Sequence, residues 1–231
     1  MGLVISYRLS LISPTIDTIH KKVVELRDMA TNLGFIQVGE ITTLEGDECT
    51  IDMDDDGNDP HIELKTHASE MIGYENRKFL FRHPSVIIGF RCQPGEGCTM
   101  ADFGFRLFAD QENPQEWTWF NYCKTQYASN PEYGGLENFI NCHLKIVHLL
   151  DAAQEMGIVC DVSDCGEYWE SRDLNKLARV VSDGNLLTAV VMGAFKDVAS
   201  EQNAEFTAPI LDYPNFEYLE GEGQAKLPKY K

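Results

Sequence analysis

Residues 134–162, GGLENFINCHLKIVHLLDAAQEMGIVCDV, decide how the chain is read. Leu136, Phe139, Ile140, His143, Val147, Leu150 and Ala153 recur at helical spacing and form one apolar stripe. Gly157 then ends the helix, because glycine enters the left-handed conformation without a Cβ penalty. The strand Ile158-Val159-Cys160-Asp161-Val162 follows at once. An earlier stretch, residues 13–36, has the same grammar. Ser13-Pro14 reads as an N-cap with proline at the first helical position, and Ile16, Ile19, Val23, Leu26, Met29 and Leu33 form the stripe. Gly34 closes that helix, and a strand runs from Phe35 to about residue 44.

Working outward, residues 3–12 alternate as a strand ahead of the first helix. Between the two helical units lie serial strands near 79–82, 85–92, 101–108 and 117–124. His83-Pro84, Pro94-Gly95-Glu96-Gly97 and Asn113-Pro114 separate them as turns. Short connections of this kind imply antiparallel pairing. The expected class is therefore α+β: a mainly antiparallel sheet with two β-α-β segments that resemble ferredoxin-like halves, followed by a C-terminal helical region. That last region is read from Ser171 to about Ala199, with a break at Asp183-Gly184. We read residues 1–231 as one domain, with a long acidic excursion at about 45–77 that holds a short strand near 61–66. An irregular tail follows after about residue 200, frayed from Leu227 to Lys231.

Composition limits the function classes. Thirty-seven acidic and 19 basic residues give a formal net charge of -18. Such a surface repels nucleic-acid phosphates and anionic membranes, and it favours a basic protein partner or another cation. No run of about 18 apolar residues suggests a membrane span. The seven cysteines have irregular spacing, and no secretory leader pattern is evident, so a reduced, cytoplasmic setting is expected. A non-catalytic binding or regulatory role asks least of such a chain.

Two constellations carry chemistry. Asp52, Asp54, Asp56, Asn58 and Glu63 fall in a D-x-D-x-D-G-x5-E string, the spacing by which an EF-hand loop surrounds calcium with alternate oxygens. Asp59-Pro60 departs from the pattern, and the string reads equally as a solvated acidic turn. The second lies at the exits of strands 117–124 and 158–162. If these strands run parallel about the long helix, both exits share one sheet end, where sites gather in α/β folds. Lys124, Asp161, Asp164 and Glu167 would then supply acid-base groups, with Trp119, Gln126, Tyr127, Tyr168 and Trp169 as pocket walls. The alternative is a strand rich in aromatics followed by acidic turns. His143 lies on the apolar stripe and is read as a core histidine; His61, His67 and His83 are read as loop residues.

Overall fold

The structure, a computed structural model, describes residues 3–12, 15–51, 59–75, 78–109 and 116–227. Its strands are β1 (Val4–Ile12), β2 (Gln37–Val38), β3 (Thr42–Glu45), β4 (Glu70–Glu75), β5 (Lys78–Arg82), β6 (Val86–Gln93), β7 (Ala101–Leu107), β8 (Glu116–Lys124) and β9 (Val159–Asp164). Its helices are α1 (Ile16–Asn32), α2 (Ile62–Ala68), α3 (Gly135–Glu155), α4 (Tyr168–Ser171), α5 (Leu174–Glu201) and α6 (Phe216–Lys226). The fold is α+β, with antiparallel sheets and a C-terminal helical region.

The main sheet has the order β2-β6-β7-β8-β1-β9, with β3 beside β2 on the same strand, β6. β8 and β9 both pair antiparallel to β1, so they run parallel to each other with β1 between them. The unit β8-α3-β9 is thus a split β-α-β. The unit β1-α1-β2 is opened further, because β8, β7 and β6 all lie between its two strands. The two halves are therefore not equivalent.

The shared grammar of the helix ends does have a shared geometry. Gly34 sits at φ +72° and Gly157 at φ +82°. Phe35 N–H donates to Ala30 O at 3.2 Å, and Ile158 N–H to Ala153 O at 3.0 Å. Both are Schellman-type closures, which satisfy carbonyls that a helix end leaves open.

Strand alternation assigns the faces. In β7 every residue is buried, and its even-numbered members meet α2: Asp102 bonds His67, and Arg106 donates to Ala68 O. The odd-numbered members therefore point to the opposite face, which α1 covers. There Phe103 stacks on Tyr7 at 4.7 Å and packs with Phe90 at 6.1 Å. Ile19, Val23 and Leu26 of α1 join that core, as do Phe139, Ile146 and Leu150 of α3.

Several local expectations change. The first helix is capped by Thr15, whose side chain accepts from Thr18 N–H; Ser13 and Pro14 lie outside the described residues. The segment near 61–66 is helical, not a strand, because Leu64 and Ala68 meet the sheet at helical spacing. α5 is capped by Asp173 rather than Ser171 and runs unbroken through Gly184. After Asn203 the chain forms a 3-10 turn at Pro209–Asp212 and then α6, so this stretch is more ordered than its composition suggests; residues 228–231 are outside the described residues. By length and composition α5 is apolar enough to cross a membrane, contrary to the sequence reading. Its Leu177 and Val181 nevertheless belong to the main core, and its Ala189 packs with Ile210, Tyr213 and Phe216.

Candidate functional site

β7 and β8 are joined only at their ends. Arg106 and Thr118 are in register, and beyond the strands' other ends Thr99 N–H donates to Lys124 O at 3.1 Å. Between these points the seam is filled by side chains. The carbonyl of Asp102, without a ladder partner, accepts from Tyr7 Oη at 2.8 Å and from Trp119 Nε1 at 2.7 Å. Burial foremost, with the neighbouring Cys92 and Asp102 adding to it, pushes the Tyr7 phenol up, so it stays a donor.

The Asp102 side chain, fully buried, faces α2. Its Oδ2 lies 2.6 Å from His67 Nδ1, and its Oδ1 accepts from Arg91 Nε at 3.2 Å. Arg91 also pairs with Glu63 in the first turn of α2. Asn121 Nδ2 is 3.2 Å from the same His67 Nδ1. One ring nitrogen cannot both donate to Asp102 and accept from Asn121. The shorter contact, to a buried carboxylate, favours Nδ1–H as the donor to Asp102. His67 Nε2 makes no hydrogen bond among the described residues, and His67 lines a cleft of about 460 Å³ with Glu63, Thr66, Arg91, Asn121 and Tyr122.

Two features seat α2 low enough for this contact. Gly89 and Gly104 are a cross-strand pair, and a Cβ built on Gly89 would lie 3.5 Å from Leu64 Cδ1. A Cβ on Gly104 would lie 2.7 Å from the Gly89 Cα, so no side chain fits there. At the helix end, Arg106 donates to Ala68 O at 2.7 Å and to Glu70 at 2.7 Å. The site needs this docking, because His67 reaches Asp102 only from α2.

The residues expected from sequence are distributed differently. Both strand exits do share one end of the sheet, on either side of the start of β1. Lys124 pairs with Val4 and Asp161 with Arg8, which separates them by about 13 Å along β1 at roughly 3.3 Å per residue. Lys124 lies over the Tyr122 ring, and Glu167 pairs with Lys176. Trp119 is fully buried in the core. Gln126 is also buried; it accepts from Leu3 N–H at 2.9 Å and donates to Asn185 at 2.9 Å, tying the sheet end to α5. Tyr168 and Trp169 pack against the main core, with the Arg172 guanidinium 4.6 Å from the Trp169 ring. Tyr127 lines a separate cleft.

Asp164 has a structural role. Its carboxylate accepts from His143 Nε2 at 3.1 Å and from the N–H groups of Gly166, Tyr168 and Trp169 at 2.6, 2.9 and 2.9 Å. His143 Nδ1 meets Thr125 Oγ1 at 3.1 Å, so both ring nitrogens are used. Burial pushes the Asp164 carboxyl up, but the His143 bond and the backbone donors outweigh it and hold it below the ordinary range.

Of the calcium string, Asp52, Asp54, Asp56 and Asn58 lie outside the described residues, and Glu63 is engaged by Arg91. Among the described residues no group of three or more His, Cys, Asp or Glu side chains is placed to hold a metal. His67 and Asp102 were missed by the sequence reading. The signals were an aspartate inside a largely apolar strand that also holds Arg106, and a histidine four residues after Glu63. The second has meaning only once 62–68 is known to be helical. Comparison with family models, with curated proteins and with solved structures gives no match.

Proposed function

We propose that the protein acts on a small polar substrate in the cleft between α2 and the β7–β8 seam, with His67 as the general base. The observation that carries this reading is the 2.6 Å bond from His67 Nδ1 to the buried Asp102 carboxylate, on a ring that also lines the cleft. A buried carboxylate on Nδ1 fixes the tautomer and stabilises the imidazolium that forms when Nε2 takes a proton. Arg91 keeps the carboxylate paired, and Asn121 and Thr66 offer polar contacts at the cleft wall. The volume of about 460 Å³ suits a small metabolite.

The test is the tautomer, read by long-range ¹H–¹⁵N NMR of His67. We expect protonated Nδ1 and a free Nε2, with the Nδ1 proton strongly downfield. A neutral ring protonated on Nε2 would sink the proposal, since no base would then face the cleft. His67→Asn supplies the second arm, because its Nδ2 can stand in for the Nδ1 donor. It should keep the fold while abolishing turnover of any substrate found by screening.

A second reading rests on the charge of -18: a binding protein whose acidic surface meets a basic partner in the cytoplasm. Association that persists unchanged from low to high salt would count against it.

A further inference from the structure

We infer that a second cleft, walled by Tyr127, Tyr133 and Tyr213 and edged by Glu132 and Asp212, binds a small organic ammonium ion. The cleft has a volume of about 300 Å³ and is distinct from the His67 site in all of its walls except Thr99. Three short turns assemble it. The 3-10 turn Gln126–Ser129 supplies Tyr127, the turn Pro131–Tyr133 supplies Glu132 and Tyr133, and the turn Pro209–Asp212 delivers Asp212 and the following Tyr213.

Three independent features point to a cation. The first is the walls: aromatic faces carry negative potential and attract an alkylammonium that has shed part of its water. Tyr213 is well buried, and its hydroxyl sits 3.2 Å from Ser129 Oγ, which in turn accepts from Asn185 at 2.8 Å, so the ring is fixed in place. Burial first, then the nearby Tyr127 and Tyr133, pushes the Tyr213 phenol up to about 12, so the ring presents a neutral face at ordinary pH.

The second feature is charge. No lysine, arginine or histidine lines this cleft, and neither Glu132 nor Asp212 takes part in an ion pair among the described residues. Here the compensating charge is left for a ligand. The third is the field of the whole chain, whose net charge of -18 raises the local concentration of cations. A pair of carboxylates suits a diamine better than a single ammonium head.

Isothermal titration of the full chain tests this, with 1,4-diaminobutane and tetramethylammonium as probes and sodium chloride as the ionic-strength control. Saturable one-to-one binding of the diamine is expected, with tetramethylammonium weaker. Glu132→Gln with Asp212→Asn should weaken it by about tenfold or more, and Tyr133→Leu by roughly fivefold. These side chains are exposed at the rim, so an unchanged circular dichroism spectrum and melting point should accompany the loss. Heat that sodium chloride reproduces, no saturation by either probe up to about 10 mM, or binding that both variants leave intact would each overturn the assignment.

Discussion

Two histidine–aspartate pairs occur among the described residues, and they differ in what the second ring nitrogen does. His143–Asp164 is sealed: the histidine is fully buried, both its nitrogens are bonded, and the carboxylate accepts three backbone N–H groups besides. His67–Asp102 is closed on one side only, with Nδ1 held at 2.6 Å and the ring about one-third exposed on a cleft. The same two residue types thus serve as a bolt in one place and, in the proposed function, as a base in the other. A saturated histidine cannot exchange a proton without breaking structure. One held from behind can do so at little structural cost.

Breaking the sealed pair should give the largest effect. Asp164→Ala removes the acceptor for three backbone donors and for His143, and should cost about 3–5 kcal/mol in urea unfolding. A loss under about 1 kcal/mol would mean the bolt carries no load. The same pair sets an acid limit. Because the folded Asp164 carboxyl is held below its ordinary value, its stabilisation is present above about pH 4 and is lost as pH falls through the folded value. Urea midpoints measured from pH 5 down to pH 2 should fall less steeply in Asp164→Asn than in the parent.

Gly104→Ala comes next. A Cβ there meets the Gly89 Cα and Ile88 O, so the β6–β7 ladder must shift, at about 1–3 kcal/mol. The consequence at the site is sharper than the stability change, because α2 rests on this glycine pair. The downfield Nδ1 proton of His67 should disappear in Gly104→Ala, while the His143 signals stay unchanged. If both pairs respond equally, they are not independent.

His67→Asn should cost less than about 1 kcal/mol, since the ring is partly exposed and the amide retains the bond to Asp102. Its counterpart His143→Asn should cost several times more, because Asn cannot span from Thr125 to Asp164. Near-equal losses would erase the contrast. Glu63→Gln should have the smallest effect, about 0–1 kcal/mol by thermal melt, because its pair with Arg91 is more than half exposed on the glutamate side.

Local pattern made much of the fold legible. The Leu33-Gly34-Phe35 and Met156-Gly157-Ile158 closures, the stripe of α3 and the serial strands all follow from nearest-neighbour spacing, and the structure has them near the expected residues. His143 was legible as a core residue because it lies on that stripe. The site was not legible. His67 and Asp102 are 35 positions apart and meet only because two glycines on neighbouring strands leave room for Leu64. Of the acidic residues that stood out, Asp161 and Glu167 are exposed, while Asp164 is buried in the His143 network. Asp102 is hidden because it lies inside β7 rather than at a strand exit.

By itself, then, the sequence determined the α+β class, the acidity and the long elements α1, α3 and most of the main-sheet strands, because each depends on spacing along the chain or on a sum over it; α2, the unbroken α5 and α6 did not follow from it. Only the tertiary structure decided the strand order, the opening of the β7–β8 seam and the different fates of two chemically identical pairs. Those depend on which backbone groups lose their ladder partners and on which side chain fills the gap, and no local pattern encodes either.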